Sequence, residues 1–304
     1  MPSPEMLDKS KPFCIVTGAG GFIGSCLCDM LHESGYRYIA IAKNPLSKWP
    51  NKCRVQSKGS FLIRGDVSSC DWMNNYDVER ILRDEKNFTI FHLASEVTAV
   101  QPSFGSLLSV SKSIHSLSSV IDLAARFSAR IVFFSSQLAV HRGTSPYATM
   151  KYCCEQILRN HYKKNIIVRI PSVYGNGNFK LKKFSAGVVG IFLESFSNRC
   201  ELNVYDQSSI KRTFSHVSDI CKSILSLDAK ENEGKTISIT GEEFSAIEIA
   251  NLVYDNKNDK HKILPISEKF EENEVPGENT EELKIKGTSL LEFIEHEKSK
   301  VLSG

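Results

Sequence analysis

A glycine-rich turn set between an apolar run and a helical pattern constrains this chain more than any other feature. Phe13-Cys14-Ile15-Val16 is a short apolar run, followed by Thr17-Gly18-Ala19-Gly20-Gly21-Phe22-Ile23-Gly24. Beyond the turn, Ile23, Leu27, Met30 and Leu31 recur at helical period. Gly35 ends that pattern and Tyr38-Ile39-Ala40-Ile41-Ala42 starts a second apolar run. The first forty residues therefore read as strand, helix, strand, the unit of a doubly wound parallel sheet. The glycines at 18, 21 and 24 each have a physical job in binding a dinucleotide. One permits the tight turn, one lets the backbone approach a pyrophosphate, and one lets the helix pack closely on the strand. The helix N-terminus adds unpaired N–H groups and the positive end of its dipole. Gly18, Gly21, Phe22, Ile23 and Gly24 are the expected phosphate-side contacts.

The second strand should read the cofactor's ribose. A carboxylate there would bond the diol of NAD and repel a 2′-phosphate. Eighteen residues past Gly24 stands Ala42, followed by Lys43, so an acid is missing and a cation is adjacent. That favours NADP(H), with NAD(H) the alternative and Lys43 an ordinary solvated lysine in that case. Two further strand patterns follow. Phe61 to Val67 ends in Asp66-Val67, an acid placed to meet the adenine edge. Thr89 to Ser95 ends in Leu93-Ala94-Ser95, small enough at its end to let the cofactor pass. His92 falls inside the apolar pattern and reads as a hydrogen-bonded core histidine. Residues 103–127 read as a long helix before the strand Arg130-Ile131-Val132-Phe133-Phe134.

Size and charge narrow the class. With 304 residues the chain suits one large α/β domain, or a main domain with a smaller companion. The net charge of +3, from 38 basic and 35 acidic residues, is too even to argue for nucleic acid or an anionic membrane. No apolar run approaches the roughly 18–20 residues that span a bilayer. The N-terminus is polar, residues 1–11 read as a disordered tail, and a cytoplasmic location is expected. The nine cysteines form no Cys-x-x-Cys pair and read as reduced thiols. The eight histidines show no ligand spacing, so no metal is expected.

The fifth strand pattern ends in Ser135-Ser136, at the carboxyl edge where open α/β sheets bind ligands. Eleven residues beyond Ser136 comes Tyr147-Ala148-Thr149-Met150-Lys151, preceded by Pro146 near a helix start. The spacing puts Tyr147 and Lys151 on one helical face. With 9 tyrosines and 26 lysines, about one Tyr-x-x-x-Lys arises by chance, so the motif alone is weak. Its order after the glycine turn and the strand-end serine gives it weight. A free phenol has a pKa of about 10, too high for ready proton exchange near neutrality. A nearby ammonium favours phenolate and lowers that value. Tyr147 could then protonate a carbonyl oxygen or deprotonate an alcohol. Lys151 would hold the nicotinamide ribose, and Ser136 would bond the reacting oxygen.

At this point the sequence resembles the extended short-chain dehydrogenases/reductases, in their NAD-dependent epimerase/dehydratase group. The resemblance covers roughly residues 12–255, through TGAGGFIG at 17–24, GDV at 65–67, FHLAS at 91–95, FFSS at 133–136, YATMK at 147–151, VRIPSVYGNG at 168–177 and RTFSHVSDI at 212–220. It implies an α/β protein: a doubly wound parallel-sheet Rossmann fold with a small C-terminal α/β substrate-binding domain. The Rossmann domain would cover 12–177, with a return around 213–240; residues 178–212 and 241–304 would form the second domain. The resemblance implies a nucleotide-sugar substrate, with Pro171 beside the cofactor and Ser172 and Arg212 beside the substrate. Arg212 matches the arginine that meets the substrate's diphosphate, a role suited to a bidentate guanidinium. A homodimer through helices at 103–127 and 147–160 is also implied.

Three departures mark the chain. The serine-to-tyrosine connection is short, pointing to a trimmed pocket roof. Two phenylalanines precede the serines, so Ser136 leads with Ser135 as the alternative. Gln137-Leu138 stand where sugar 4,6-dehydratases typically carry Asp-Glu, which argues against water elimination. The expected reaction is NADPH-dependent reduction of a 4-keto sugar nucleotide. The alternatives are a nucleotide-sugar epimerase with retained NAD, and a non-catalytic dinucleotide-binding regulator or scaffold. In the last third, an amphipathic stretch spans Phe184–Phe196, strands lie at 202–205 and 235–240, a helix at Glu242–Asp255, and a final helix at Leu290–Ile294. The charged stretch beyond Asn256 reads as irregular until that helix.

Overall fold

The computed structural model describes residues 11–43, 59–69, 72, 76–85, 87–95, 107–141, 145–175, 187–205, 210–254, 261–264 and 280–303. Residues 1–10 of the expected tail, 103–106 of the expected long helix, 184–186, and 142–144 of the short serine-to-tyrosine connection lie outside them. The strands are β1 (Cys14–Thr17), β2 (Tyr38–Ala42), β3 (Ser60–Arg64), β4 (Thr89–His92), β5 (Arg130–Ser136), β6 (Asn165–Ile170), β7 (Ser172–Tyr174), β8 (Leu202–Tyr205), β9 (Arg212–His216), β10 (Thr236–Thr240), β11 (Glu242–Phe244), β12 (His261–Leu264) and β13 (Thr280–Lys284). The helices are α1 (Phe22–Glu33), α2 (Tyr76–Leu82), α3 (Leu107–Phe127), α4 (Pro146–His161), α5 (Gly187–Ser197), α6 (Val217–Ser226), α7 (Ala246–Val253) and α8 (Leu290–Ser303).

Eight parallel strands form the central sheet in the order β13-β10-β6-β5-β4-β1-β2-β3. Strands buried on both faces favour apolar residues on both, which is why β1, β2 and β5 each contain an unbroken apolar run. Successive side chains face opposite ways and feed two cores. Ile15, Ile39, Ile90, Ile131 and Phe133 pack with α2, α3 and α4. Cys14, Val16, Tyr38, Phe91, Val132 and Phe134 pack with α1 and α6 on the other face. This is the doubly wound Rossmann arrangement. The order reverses between β1 and β4, and the crevice at that switch point is where such sheets bind ligands.

A third core, including Tyr174, Phe192, Leu193, Phe214, Ile249 and Phe293, lies among the later elements. They include a three-stranded sheet, β11-β9-β7, and the pair β12-β8. The expected helix from Glu242 divides: Glu242–Phe244 pairs antiparallel with β9 before α7 begins. Ser245 sets that boundary, because its hydroxyl accepts from the Glu248 amide while the Glu248 carboxylate accepts from the Ser245 amide. The stretch read as irregular contains β12 and β13, and β13 extends the main sheet beside β10. No described helix is long and apolar enough to cross a membrane.

Candidate active site

The carboxyl ends of the central strands open into a cavity of about 880 Å³, lined by Gly18, Gly21, Phe22, Ile23, Gly24, Leu93, Ser95, Ser136, Tyr147, Lys151, Pro171, Ser172 and Arg212 among others. A second hollow of about 360 Å³ shares Gly18, Gly21, Leu93 and Ser95 with it and adds Lys43, Asp66, Val67 and Ala94. Every residue singled out from the sequence as a contact thus lies along one groove. It runs from the end of β2, past the glycine turn, to the start of β9.

The turn has the shape a pyrophosphate needs. Gly18 has φ +70°, and a Cβ there would stand 2.8 Å from the Ala94 amide nitrogen. At Gly24 a Cβ would stand 2.3 Å from the Gly18 carbonyl oxygen. The first lets the turn lie against the end of β4; the second lets α1 start directly on the turn. Helix α1 has no side-chain cap and no acidic residue in its first turn. Its leading amides are left to bind an anion. These residues fit a dinucleotide.

Ser136 ends β5, and its side-chain oxygen accepts from the Leu138 amide at 3.2 Å. Its hydroxyl lies beside the Tyr147 phenol and favours the ionised form. Ser135, the alternative, is fully buried and donates to Glu155 beneath the groove. Geometry therefore separates the two serines: Ser136 faces the phenol and Ser135 anchors the helix. Tyr147 and Lys151 sit in the first turns of α4, which Ser145 starts by accepting from the Ala148 amide, with Pro146 in the first turn. The Lys151 ammonium lies 5.9 Å from the centre of the Tyr147 ring and donates to the Phe134 carbonyl at 2.7 Å.

The expected lowering of the phenol is not what the protein itself imposes. Burial pushes Tyr147 above its usual value, and the Ser136 hydroxyl only partly offsets this. Lys151 is instead the group held near neutrality. Burial brings it down to about 8, against the opposing pull of the Glu155 carboxylate. The constellation thus has a protonated phenol and an ammonium poised to give up its charge.

Two residues of this site escaped the sequence reading. Glu155 lies one helical turn past Lys151 and is fully buried. Arg169, next to the carboxyl end of β6 and 2% exposed, meets it with Nε and Nη2 at 3.0 and 2.6 Å. Arg159 adds a third contact at 3.1 Å. The signal was available: an arginine inside the apolar run Asn165-Ile166-Ile167-Val168-Arg169-Ile170 must find a buried partner.

In the smaller hollow, Asp66 accepts from the Ser68 amide at 3.0 Å and the Ser68 hydroxyl at 2.7 Å, and lies 3.4 Å from the Lys43 ammonium. Burial opposes its ionisation, but the Ser68 contacts and Lys43 hold Asp66 below the usual carboxylate range. His92 is buried, hydrogen-bonded to Thr17 Oγ1 at 2.8 Å, and stacked on Phe133. Burial, with Lys151 nearby, takes its imidazole down to about 3. A base whose folded pKa lies below its unfolded value adds stability above about 6.5, lost as pH falls toward the folded value. In a histidine-resolved NMR titration His92 will stay neutral between about pH 5 and 8; a midpoint near 6.5 would contradict this environment.

Sheet order, switch-point groove and glycine turn define a Rossmann-fold dinucleotide-binding protein. The family described as the NAD dependent epimerase/dehydratase family matches residues 14–240, and the chain belongs to it. A putative UDP-glucose 4-epimerase of Methanocaldococcus jannaschii is 25% identical over 271 residues, covering 82% of each protein. UDP-glucuronic acid decarboxylase 4 of Arabidopsis thaliana is 24% identical over 269 residues, and the match spans 82% of this chain but only 58% of that protein. Among solved structures, the UDP-glucose 4-epimerase of Thermotoga maritima, crystallised with UDP-glucose, superposes with a TM-score of 0.67 at 21% identity, covering 84% of this chain and 86% of that one. At that identity it shares the fold.

Proposed function

We propose that the protein is an NAD(P)-dependent oxidoreductase acting on a nucleotide sugar, and that its reaction is NADPH-dependent reduction of a 4-keto sugar nucleotide. One observation carries this reading: Ser136, Tyr147 and Lys151 open on the same cavity as the glycine turn and Arg212. A nicotinamide dinucleotide, when bound, supplies or accepts the hydride. The glycine turn and the α1 amides hold its phosphates, and Arg212 takes the substrate's diphosphate. Ser136 Oγ bonds the reacting sugar oxygen and orients it toward the phenol. Tyr147 Oη delivers the proton to that oxygen as a carbonyl is reduced, or removes it in the reverse direction. Lys151 Nζ, beside the ring, stabilises the phenolate so formed.

The fine choice of cofactor is supported by Ala42, which offers no carboxylate to a ribose diol, and by the cation at Lys43. Gln137 supports reduction over elimination, since both polar ends of its side chain are held by the protein. The resemblance to a protein named as a UDP-glucose 4-epimerase supports a second reading, epimerisation with retained NAD. Both use the same groups, because oxidation and reduction at one carbon are microscopic reverses.

Denaturing the purified protein and identifying released dinucleotide by mass spectrometry separates these readings, together with NADPH and NADH titrations of the native protein. The expected result is little retained dinucleotide and tighter binding of NADPH than NADH. Stoichiometric bound NAD would replace the reductase by the epimerase. Binding of neither would remove the oxidoreductase and leave a scaffold.

A further inference from the structure

We propose that Gln137 is a positioning residue that fixes the start of β9, and with it Arg212, to the turn carrying Ser136. This rests on the reading of Arg212 as the contact to a nucleotide diphosphate. Gln137 begins the 3-10 turn Gln137–His141, directly after Ser136. Its amide oxygen accepts from the Thr213 hydroxyl at 2.7 Å, and its amide nitrogen donates to the Ile239 carbonyl at 2.8 Å. One side chain therefore joins the ends of β5 and β10 to the residue next to Arg212.

The strand pairing shows why a side chain is needed there. β11 accompanies β9 along Arg212, Thr213 and Phe214, whereas β7 begins only opposite Phe214. Among the described residues, β9 thus has a strand neighbour on one side alone at Arg212 and Thr213. The Thr213–Gln137 bond holds that unpaired end. The Arg212 side chain is exposed at the cavity rim, so its long stem has many rotamers to lose on gripping a ligand. Fixing the backbone beneath it spares the further cost of ordering the strand as well. Because the Leu138 amide also holds Ser136 Oγ, the same short turn sets the position of both the serine and the strand that anchors the substrate's far end.

The test uses the whole chain and five variants, Arg212→Ala, Thr213→Val, Thr213→Ser, Gln137→Leu and the double variant Thr213→Val with Gln137→Leu, with UDP and dTDP titrated by calorimetry and NADPH and NADH titrated as controls. Arg212→Ala should weaken nucleoside diphosphate binding about tenfold to a hundredfold, the range for a charged hydrogen bond. Thr213→Val and Gln137→Leu should each weaken it about threefold to tenfold, the range for a neutral one. Combined, they should do no more than Gln137→Leu alone, since the bond that Thr213→Val removes is one that Gln137→Leu removes as well. Thr213→Ser, which keeps the hydroxyl, should restore binding, and dinucleotide affinity should not move.

If neither UDP nor dTDP binds, or Arg212→Ala leaves their binding unchanged, the diphosphate reading fails and this inference with it. If Arg212→Ala weakens binding while Thr213→Val and Gln137→Leu do not, the reading stands and the positioning role of Gln137 is overturned. Equal losses of dinucleotide and UDP affinity, or no rescue by Thr213→Ser, would make the contact merely structural and overturn it too.

Discussion

Replacing Tyr147 by phenylalanine will lower turnover of the sugar nucleotide about 10²- to 10⁴-fold, the usual worth of a positioned proton donor. The change removes one oxygen from a ring packed against the core of the α3–α4 face, so the fold keeps its packing. Dinucleotide affinity should stay within about twofold, because the glycine turn and the Asp66 end of the groove do not depend on the phenol. The separation of the two effects is the point of the experiment. A lost core contact would weaken cofactor and turnover together, whereas a lost proton donor affects the chemical step alone. Ser136→Ala should be milder, since it removes a hydrogen bond to the reacting oxygen and not the proton. Turnover of Tyr147→Phe within threefold of the parent would remove Tyr147 from the chemistry and the oxidoreductase reading with it.

The first strand, the glycine turn and α1 were legible because each is written in consecutive residues. An apolar run, a φ-positive glycine and a 3.6-residue period need no distant partner to be recognised. Strand ends and helix starts are likewise local, which is why Ser136, Tyr147 and Lys151 could be placed before their distances were known. What stayed hidden is long-range. β13 has the sequence Thr280-Glu281-Glu282-Leu283-Lys284, with both glutamates and the lysine exposed, and only its pairing with β10 makes it a strand. β11 begins Glu242-Glu243, good helix formers, and pairing with β9 overrides that preference. The Gln137–Thr213 bond joins residues 76 apart, and nothing in either neighbourhood announces the other.

Glu155→Leu will destabilise the protein by about 3–5 kcal/mol, the loss expected when one partner of a buried ion pair is removed. The Arg169 guanidinium, 2% exposed, would lose the carboxylate that meets both its Nε and its Nη2. At about 2.1 cal/mol/K per residue, that loss lowers the melting temperature by about 5–8 °C. Removing the charge as well, in Glu155→Leu with Arg169→Leu, should recover most of the stability, because a buried pair can give way to apolar side chains of similar volume. Calorimetric melting of both variants checks the sign. A single variant within about 1 kcal/mol of the parent would show that Arg169 finds another partner. The same substitution also reaches the chemistry. Glu155 favours the Lys151 ammonium, which burial already holds at about 8. Without that carboxylate the Arg159 and Arg169 charges remain, and Lys151 will lose its proton at still lower pH. His92 from β4 adds no charge, since its imidazole is held neutral, and Cys154, its thiol raised by burial, stays protonated. The limb of the pH–rate profile that reports Lys151 will therefore move to lower pH in Glu155→Leu, a change that a simple loss of stability would not produce.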